Sequence, residues 1–116
     1  MLAAPTSSDE RLAKICAKAS GFVYAVSRAG VTGAQNETSS AAENLVSRLR
    51  KFTDLPIALG FGISNAAQVA ETWKFADAAV VGSAIVAEMM HLAPNPNEIP
   101  NDFVEKIGEF TENLLP

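Results

Sequence analysis

Pro56-Ile-Ala-Leu-Gly60-Phe-Gly-Ile-Ser64 is an apolar run that closes on two glycines and a helix-capping residue. Ile57 to Phe61 reads as a strand, and Ser64 reads as the N-cap of a helix whose inward side is Val69, Trp73 and Ala76. The same pattern stands on either side. Upstream, Phe22-Val-Tyr-Ala-Val26 is a continuous apolar run with β-branched and aromatic members, the pattern of a strand buried on both faces of a parallel sheet. It leads into Arg28-Ala-Gly-Val-Thr-Gly33, with glycines at 30 and 33. Downstream, Ala78-Ala-Val-Val81 is short and strand-like, and Gly82-Ser83 opens a brief helix through Ile85, Val86, Met89 and Met90. A glycine turn at a helix N-terminus offers unpaired backbone N–H groups and the positive end of the helix, which together suit a phosphate. Three such junctions in succession predict one shared anion site.

The remaining segments complete a strand–helix alternation. Ser7-Ser-Asp-Glu10 has capping-box spacing, and Leu12, Ile15, Cys16 and Ala19 recur at helical intervals, so a helix is predicted over residues 8–20 with Gly21 as its stop. After a loop from Arg28 to Ser39, Ser40 and Glu43 form a second box. Leu45, Val46, Leu49 and Phe52 then share a face, with Arg48, Arg50 and Lys51 near the negative pole. Pro94, Pro96 and Pro100 make a rigid connection to a closing helix with Phe103, Val104, Ile107, Phe110 and Leu114 on one side. Alternation at this spacing implies right-handed crossovers and parallel strands. A full (β/α)8 barrel has eight strands and about 250 residues, whereas about three and a half βα units are present here. Leu2-Ala-Ala-Pro5 reads as the tail of a strand whose beginning is absent. The expected fold class is therefore α/β, the C-terminal part of a (β/α)8 TIM barrel. Residues 1–116 would form one incomplete barrel domain with no second domain.

Composition narrows the function. Of 116 residues, 48% are hydrophobic and 19% charged, which is the make-up of a soluble globular domain with material for a core. A net charge of -4, with nine scattered Lys and Arg, argues against a nucleic-acid or membrane surface, so a bound phosphate must be held locally. A single cysteine, Cys16, is consistent with a reducing compartment. No apolar run reaches the length of a membrane span, and the expected location is cytoplasmic.

Ser27-Arg-Ala-Gly-Val-Thr-Gly33, with Gly60-Phe-Gly-Ile-Ser64 and Gly82-Ser-Ala-Ile85 at their distances behind it, resembles the tryptophan synthase alpha subunit. The resemblance covers almost the whole chain. It implies a (β/α)8 barrel that cleaves indole-3-glycerol phosphate to indole and glyceraldehyde 3-phosphate, and a partner beta subunit that carries pyridoxal phosphate. It implies no cofactor and no metal on this chain. Carried over residue by residue, it places phosphate-binding N–H groups at Gly33, Gly62, Gly82 and Ser83, the last adding its hydroxyl. It makes Tyr24, Arg28, Phe61 and Val80 line the substrate, and it sets Thr32 in a loop that closes over the site. The proton-transferring Glu and Asp of the family lie upstream of residue 1 in this alignment, so no catalytic residue is expected here. The isolated chain is expected to lack activity and to need an N-terminal barrel half, or else to self-associate. A non-catalytic phosphate-binding half-barrel is the alternative. Indole-glycerol-phosphate synthase and phosphoribosyl-anthranilate isomerase share such glycines, but the Ser-Arg-x-Gly-Val-Thr-Gly loop speaks against them.

Other conspicuous side chains have ordinary readings. His91 sits where a cation is favoured at a helix end, and Cys16 reads as a small buried hydrophobe. Trp73 reads as helix-to-barrel packing, and Met89 and Met90 as core filling. Asp9, Glu10 and Glu43 read as cap charges, while Asp77 merely precedes a strand.

Overall fold

Among the described residues, each strand after the first pairs with the one before it, and every pair is parallel. The computed structural model describes residues 2–27 and 35–116, with the backbone alone for 35–39. In chain order the elements are β1 (Leu2–Ala3), α1 (Asp9–Lys18), β2 (Val23–Val26), α2 (Gln35–Arg50) and β3 (Ile57–Gly60). They continue with α3 (Ala66–Trp73), β4 (Ala78–Ala79), α4 (Ser83–Leu92) and α5 (Phe103–Glu112). One sheet of order β1-β2-β3-β4 results, the α/β architecture expected from the alternation.

Register separates the two faces of the sheet. Ala3, Ala25, Leu59 and Ala79 form one row across the strands, and Leu2, Tyr24, Ala58 and Ala78 form the adjacent row. Side chains of successive strand residues point to opposite faces. Ala3, Val23, Ala25, Ile57 and Leu59 join Leu12 and Cys16 of α1 and Ala42, Leu45, Val46 and Leu49 of α2 in one buried core. The opposite face carries Leu2, which is 58% exposed. It also carries the half-buried Tyr24 and Val26 and the exposed Ala78. β2 is thus buried on one side only, not on both, because α1 and α2 pack on a single face. Phe22 is 55% exposed and lies before the strand, its N–H turned back to Ser20 C=O at 3.0 Å.

Several helix boundaries differ from the sequence expectation. Ser8, not Ser7, caps α1, its Oγ accepting from Arg11 N–H at 3.3 Å, while Ser7 Oγ accepts from Ala4 N–H. Glu10 then falls one position early for a capping box and pairs with Lys14 at 2.7 Å instead. α1 ends at Lys18, and Gly21, at φ +77°, turns the chain into β2. α2 starts at Gln35, so Ser40 and Glu43 lie within the helix rather than at its start. Extending an already nucleated helix adds one bond per residue, and Ser, Thr and Asn cost only about 0.7 kcal/mol or less each. At α3 the cap is Asn65, whose side chain accepts from Gln68 N–H at 2.9 Å, while Gln68 Oε1 accepts from Ser64 N–H at 2.7 Å. Thr72, rather than Trp73, is the buried partner of Val69, its hydroxyl donating to Gln68 C=O at 2.8 Å. Trp73 is 49% exposed. β4 stops at Ala79, although Val80 N–H still reaches Leu59 C=O at 2.8 Å.

The last two helices pack on each other, and neither has a buried residue within its bounds. Met89 and Met90 are exposed, so they do not fill the core of this chain, and Val104 at 80% exposure lies outside the inward side of α5. Leu114, just past α5, is buried.

Long-range charge contacts tie the layers together. Arg48 of α2 pairs with Asp9 at 2.8 Å and donates to the carbonyls of Pro5 and Ser7, holding the β1–α1 connection against α2. Asp77 accepts from Ile57 N–H at 2.8 Å and from Arg50, so one carboxylate joins the starts of β3 and β4 to the end of α2. The Ile57 N–H and the Arg50 guanidinium hold the Asp77 carboxyl below its ordinary value. Its contribution to stability is therefore complete above the unfolded-state value of about 3.9 and is lost as pH falls through the lowered value. Asp77→Asn should destabilise the chain by about 1 kcal/mol at pH 7, given the partial exposure of the pair, and should flatten stability against pH below about 4. Urea denaturation of both proteins at pH 7 and at pH 3 checks this; an equal loss in the variant at both values would remove Asp77 as the cause.

Candidate functional site

Parallel pairing brings the C-terminal ends of β2, β3 and β4 side by side. Ser27, just past β2, donates its N–H to Gly60 C=O at 3.0 Å and is itself buried. Gly60 ends β3, Phe61 and Gly62 follow it, and Val80, Val81 and Gly82 lead from β4 into α4. The turns after β3 and β4 are therefore neighbours at one end of the sheet.

The glycines there differ in what requires them. Gly62 has φ +79°, a conformation that side chains adopt at a cost of about 1–2 kcal/mol, so the turn itself demands glycine. Gly60 makes room for a ring: a Cβ on it would stand 2.9 Å from Tyr24 Oη and 3.3 Å from the ring, so the tyrosine would have to shift. Tyr24 thus leans from β2 over the end of β3, on the face away from the helices. Nothing local in the sequence announces this contact; a strand tyrosine two register rows below a strand glycine on the next strand is the pattern that could have shown it. Gly82 has neither a left-handed φ nor a close neighbour. Its φ is -126°, and nothing lies within 4 Å of a Cβ built on it.

Gly82 is the N-cap of α4 and supplies no side-chain cap. The first intrahelical bonds run from Ile85 and Val86 N–H to Gly82 C=O, at 3.0 and 3.1 Å. The N–H groups of Ser83 and Ala84 come before them, at the positive end of a ten-residue helix, with the Ser83 hydroxyl beside them.

Of the residues singled out from sequence, Tyr24, Gly62, Val80, Gly82 and Ser83 stand at this end of the sheet or on its uncovered face. Phe61 stands there too, but its side chain packs against the helix-side core. Arg28, Thr32 and Gly33 lie outside the described residues. His91 is in the last turn of α4. Cys16 is buried in the helix-side core, and burial pushes its thiol up, away from the thiolate a nucleophile needs. Among the described residues no three His, Cys, Asp or Glu side chains gather as metal ligands, and no helix is long and apolar enough to cross a membrane.

The sequence model of the family described as tryptophan synthase alpha chain matches residues 1–114. The tryptophan synthase alpha chain of Streptomyces coelicolor is 54% identical over 87 residues, which are 75% of this chain and 32% of that protein. That of a Caulobacter strain is 44% identical over 111 residues, 96% of this chain and 40% of its own. Among solved structures, tryptophan synthase subunit alpha from Campylobacter jejuni superposes with a TM-score of 0.75 at 30% identity, covering 97% of this chain and 42% of that one. A chain of the tryptophan synthase α2β2 complex of Pyrococcus furiosus superposes with a TM-score of 0.74 at 32% identity, again covering 97% and 42%. The four-stranded parallel sheet is accordingly part of a barrel, and the chain spans 32% of the length of the Streptomyces coelicolor relative. Family match and fold agree: this chain belongs to the tryptophan synthase alpha chain family.

Proposed function

We propose that this chain is the phosphate-binding part of an enzyme that cleaves indole-3-glycerol phosphate to indole and glyceraldehyde 3-phosphate in tryptophan biosynthesis. The observation that carries the reading is Gly82. No packing neighbour requires a glycine there, yet it stands at the N-terminus of α4 with no side-chain cap, where a side chain would obstruct an anion approaching the Ser83 and Ala84 N–H groups. Gly62, on the neighbouring turn, and Gly33 would supply further N–H groups, and the Ser83 hydroxyl would add a donor. Tyr24 and Val80 would border the rest of the substrate, on the face that α1 and α2 leave bare. Arg28 and Thr32 would act from the loop after β2, and Phe61 would border the site through the strand end that it anchors.

This part binds and positions; it does not move protons. Aldol cleavage needs one group to protonate the indole carbon and another to take a proton from the glycerol hydroxyl. Asp9, Glu10, Glu71, Asp77 and Asp102 are each held by a basic partner, at Arg48, Lys14, Lys74, Arg50 and Lys106. The two proton-transfer carboxylates would come from an N-terminal portion of the barrel, the beta subunit would be the protein partner, and the cytoplasm the location. The chain itself would carry no cofactor.

Two outcomes are expected. Inorganic phosphate or glycerol phosphate should bind weakly to the 116-residue chain. Gly82→Val should leave the fold intact while weakening that binding at least about tenfold, or about 1.4 kcal/mol. Calorimetry, or phosphate-dependent amide shifts at Ser83 and Gly62, measures it; unchanged affinity in a folded variant would falsify the site. The chain alone should turn over indole-3-glycerol phosphate at least about 10⁴-fold more slowly than a complete family enzyme, since two proton transfers, each worth about 10²–10⁴-fold, are missing. An indole-release assay reads this, and adding a separately expressed N-terminal barrel portion should raise the rate. Turnover by the chain alone that a substitution within it abolishes would overturn the division of labour.

A further inference from the structure

We propose that Gln68 is a positioning residue of the anion site: acting through Ser64, its side chain holds the turn after β3 so that the Gly62 N–H stays aimed at the anion. The proposal rests on the phosphate reading above and names the side chain that keeps one of its donors in place.

The first turn of α3 departs from the usual reciprocal cap. Asn65 accepts from Gln68 N–H at 2.9 Å, which is one half of a capping box. The other half would return the Gln68 side chain to the N–H of Asn65 itself. Instead, Gln68 Oε1 accepts from Ser64 N–H at 2.7 Å and from the Ser64 hydroxyl at 3.1 Å, one residue outside the cap. A backbone N–H can only donate, so it is the amide oxygen that faces it. Ser64 is exposed and water is available to both of its donors, so what the side chain adds is a fixed position for the turn.

Gly62 lies two residues before Ser64, between anchored neighbours. Phe61 packs against the helix-side core, and Ile63 is buried. A glycine turn left to itself samples both signs of φ, and a donor that moves with it binds an anion poorly. Gly62 is held at φ +79°, with Phe61 and Ile63 fixed by burial and Ser64 fixed by Gln68. The turn before α4 has no such brace. Gly82 brings no side-chain cap, and the residue three positions on, Ile85, has no acceptor to reach back with. The two helices therefore divide the site between them: α4 leaves its first N–H groups open, and α3 uses its first turn to steady the loop that carries Gly62. The Ser64 N–H, engaged by Gln68, is withheld from the anion.

Amide spectra of the chain titrated with inorganic phosphate test this. In the unmodified chain the Gly62 and Ser83 amides should both shift. Gln68→Met keeps the length of the side chain and the backbone bond from residue 68 to Asn65, but removes the acceptor. It should weaken phosphate binding about tenfold, the worth of one hydrogen bond to a charged group, and at saturating phosphate it should abolish the shift at Gly62 while keeping that at Ser83. A merely structural role would lower stability without separating the two amides. Gln68→Glu, whose carboxylate accepts from the same two donors beside the positive end of α3, should keep the Gly62 shift at saturation. If Gln68→Met does not fold, hydrogen exchange of the unmodified chain decides: the Ser64 amide should be protected with and without phosphate, and the Gly62 amide only with it. A Gly62 shift that persists in folded Gln68→Met, its loss in folded Gln68→Glu, or an unprotected Ser64 amide overturns the proposal while the phosphate shifts of the unmodified chain keep the anion site standing. Absence of any phosphate-induced shift in the unmodified chain overturns both.

Discussion

Parallel pairing of the four strands is the constraint on which everything else depends. Two parallel strands cannot be joined by a tight turn, so each connection must cross back along the sheet, and the helix carried by each crossover does this on one face. The same condition puts every C-terminal strand end on one side. That is why turns 20 residues apart in sequence, after Gly60 and after Val80, become neighbours, and why Ser27 N–H can reach Gly60 C=O at 3.0 Å. The opposite ends are held by different chemistry. Asp77 gathers Ile57 N–H and Arg50 where β3 and β4 begin, while the Arg48–Asp9 pair holds the connection after β1.

The second consequence is an asymmetry between faces. Leu12, Leu45, Leu49, Ile57 and Leu59 are fully buried because α1 and α2 cover one side of the sheet. The other side is made of Tyr24, Val26, Ala58, Gly60 and Ala78, in which small residues let the tyrosine ring lie across the neighbouring strand. Gly60 is needed for that ring, and the ring brings its hydroxyl to the strand ends. A residue chosen for packing therefore fixes the position of one expected to meet a ligand.

Much of this was legible because it is local. A 3.6-residue period, a continuous apolar run and a glycine turn each announce themselves within a few residues, and they located every strand and helix of the described chain. The motif spacing that identified the family is likewise a linear property. What escaped notice depends on contacts across the fold. Arg48 meets Pro5, Ser7 and Asp9 from more than 38 positions away, and Asp77 meets Arg50 across 27, so neither carries a signature in its own neighbourhood. Cap identity failed for a related reason: Ser64 and Asn65 are both good caps, and Gln68 decides between them by offering its N–H to one and its Oε1 to the other. Trp73, Met89 and Met90 read as buried from sequence because large apolar side chains usually are, yet all three are exposed. Their burial depends on what stands opposite, and α1 and α2 cover only the other part of the sheet. Of the candidate site, the turns that carry Gly62 and Gly82 could be located from sequence, while the meeting of Tyr24 with Gly60 could not.

Glycines usually say little about function, since a turn can require one whatever the protein does. Here three of them can be sorted by cause. Gly62 serves a left-handed backbone, Gly60 makes room for a ring, and Gly82 has no neighbour within 4 Å of where a Cβ would stand. A serine or asparagine at position 82 would cap α4 better by only about a few tenths of a kcal/mol, since glycine is itself a tolerated N-cap, but it would place a side chain at that helix end. A helix N-terminus that forgoes its cap keeps its N–H groups available to something from outside. The same glycine that leaves α4 less well capped therefore leaves its positive end open, and it does so beside a turn whose own glycine is fixed by the backbone. Openness at one turn and rigidity at the next are the two properties that an anion held by main-chain N–H groups requires: room to approach, and donors that do not move when it arrives.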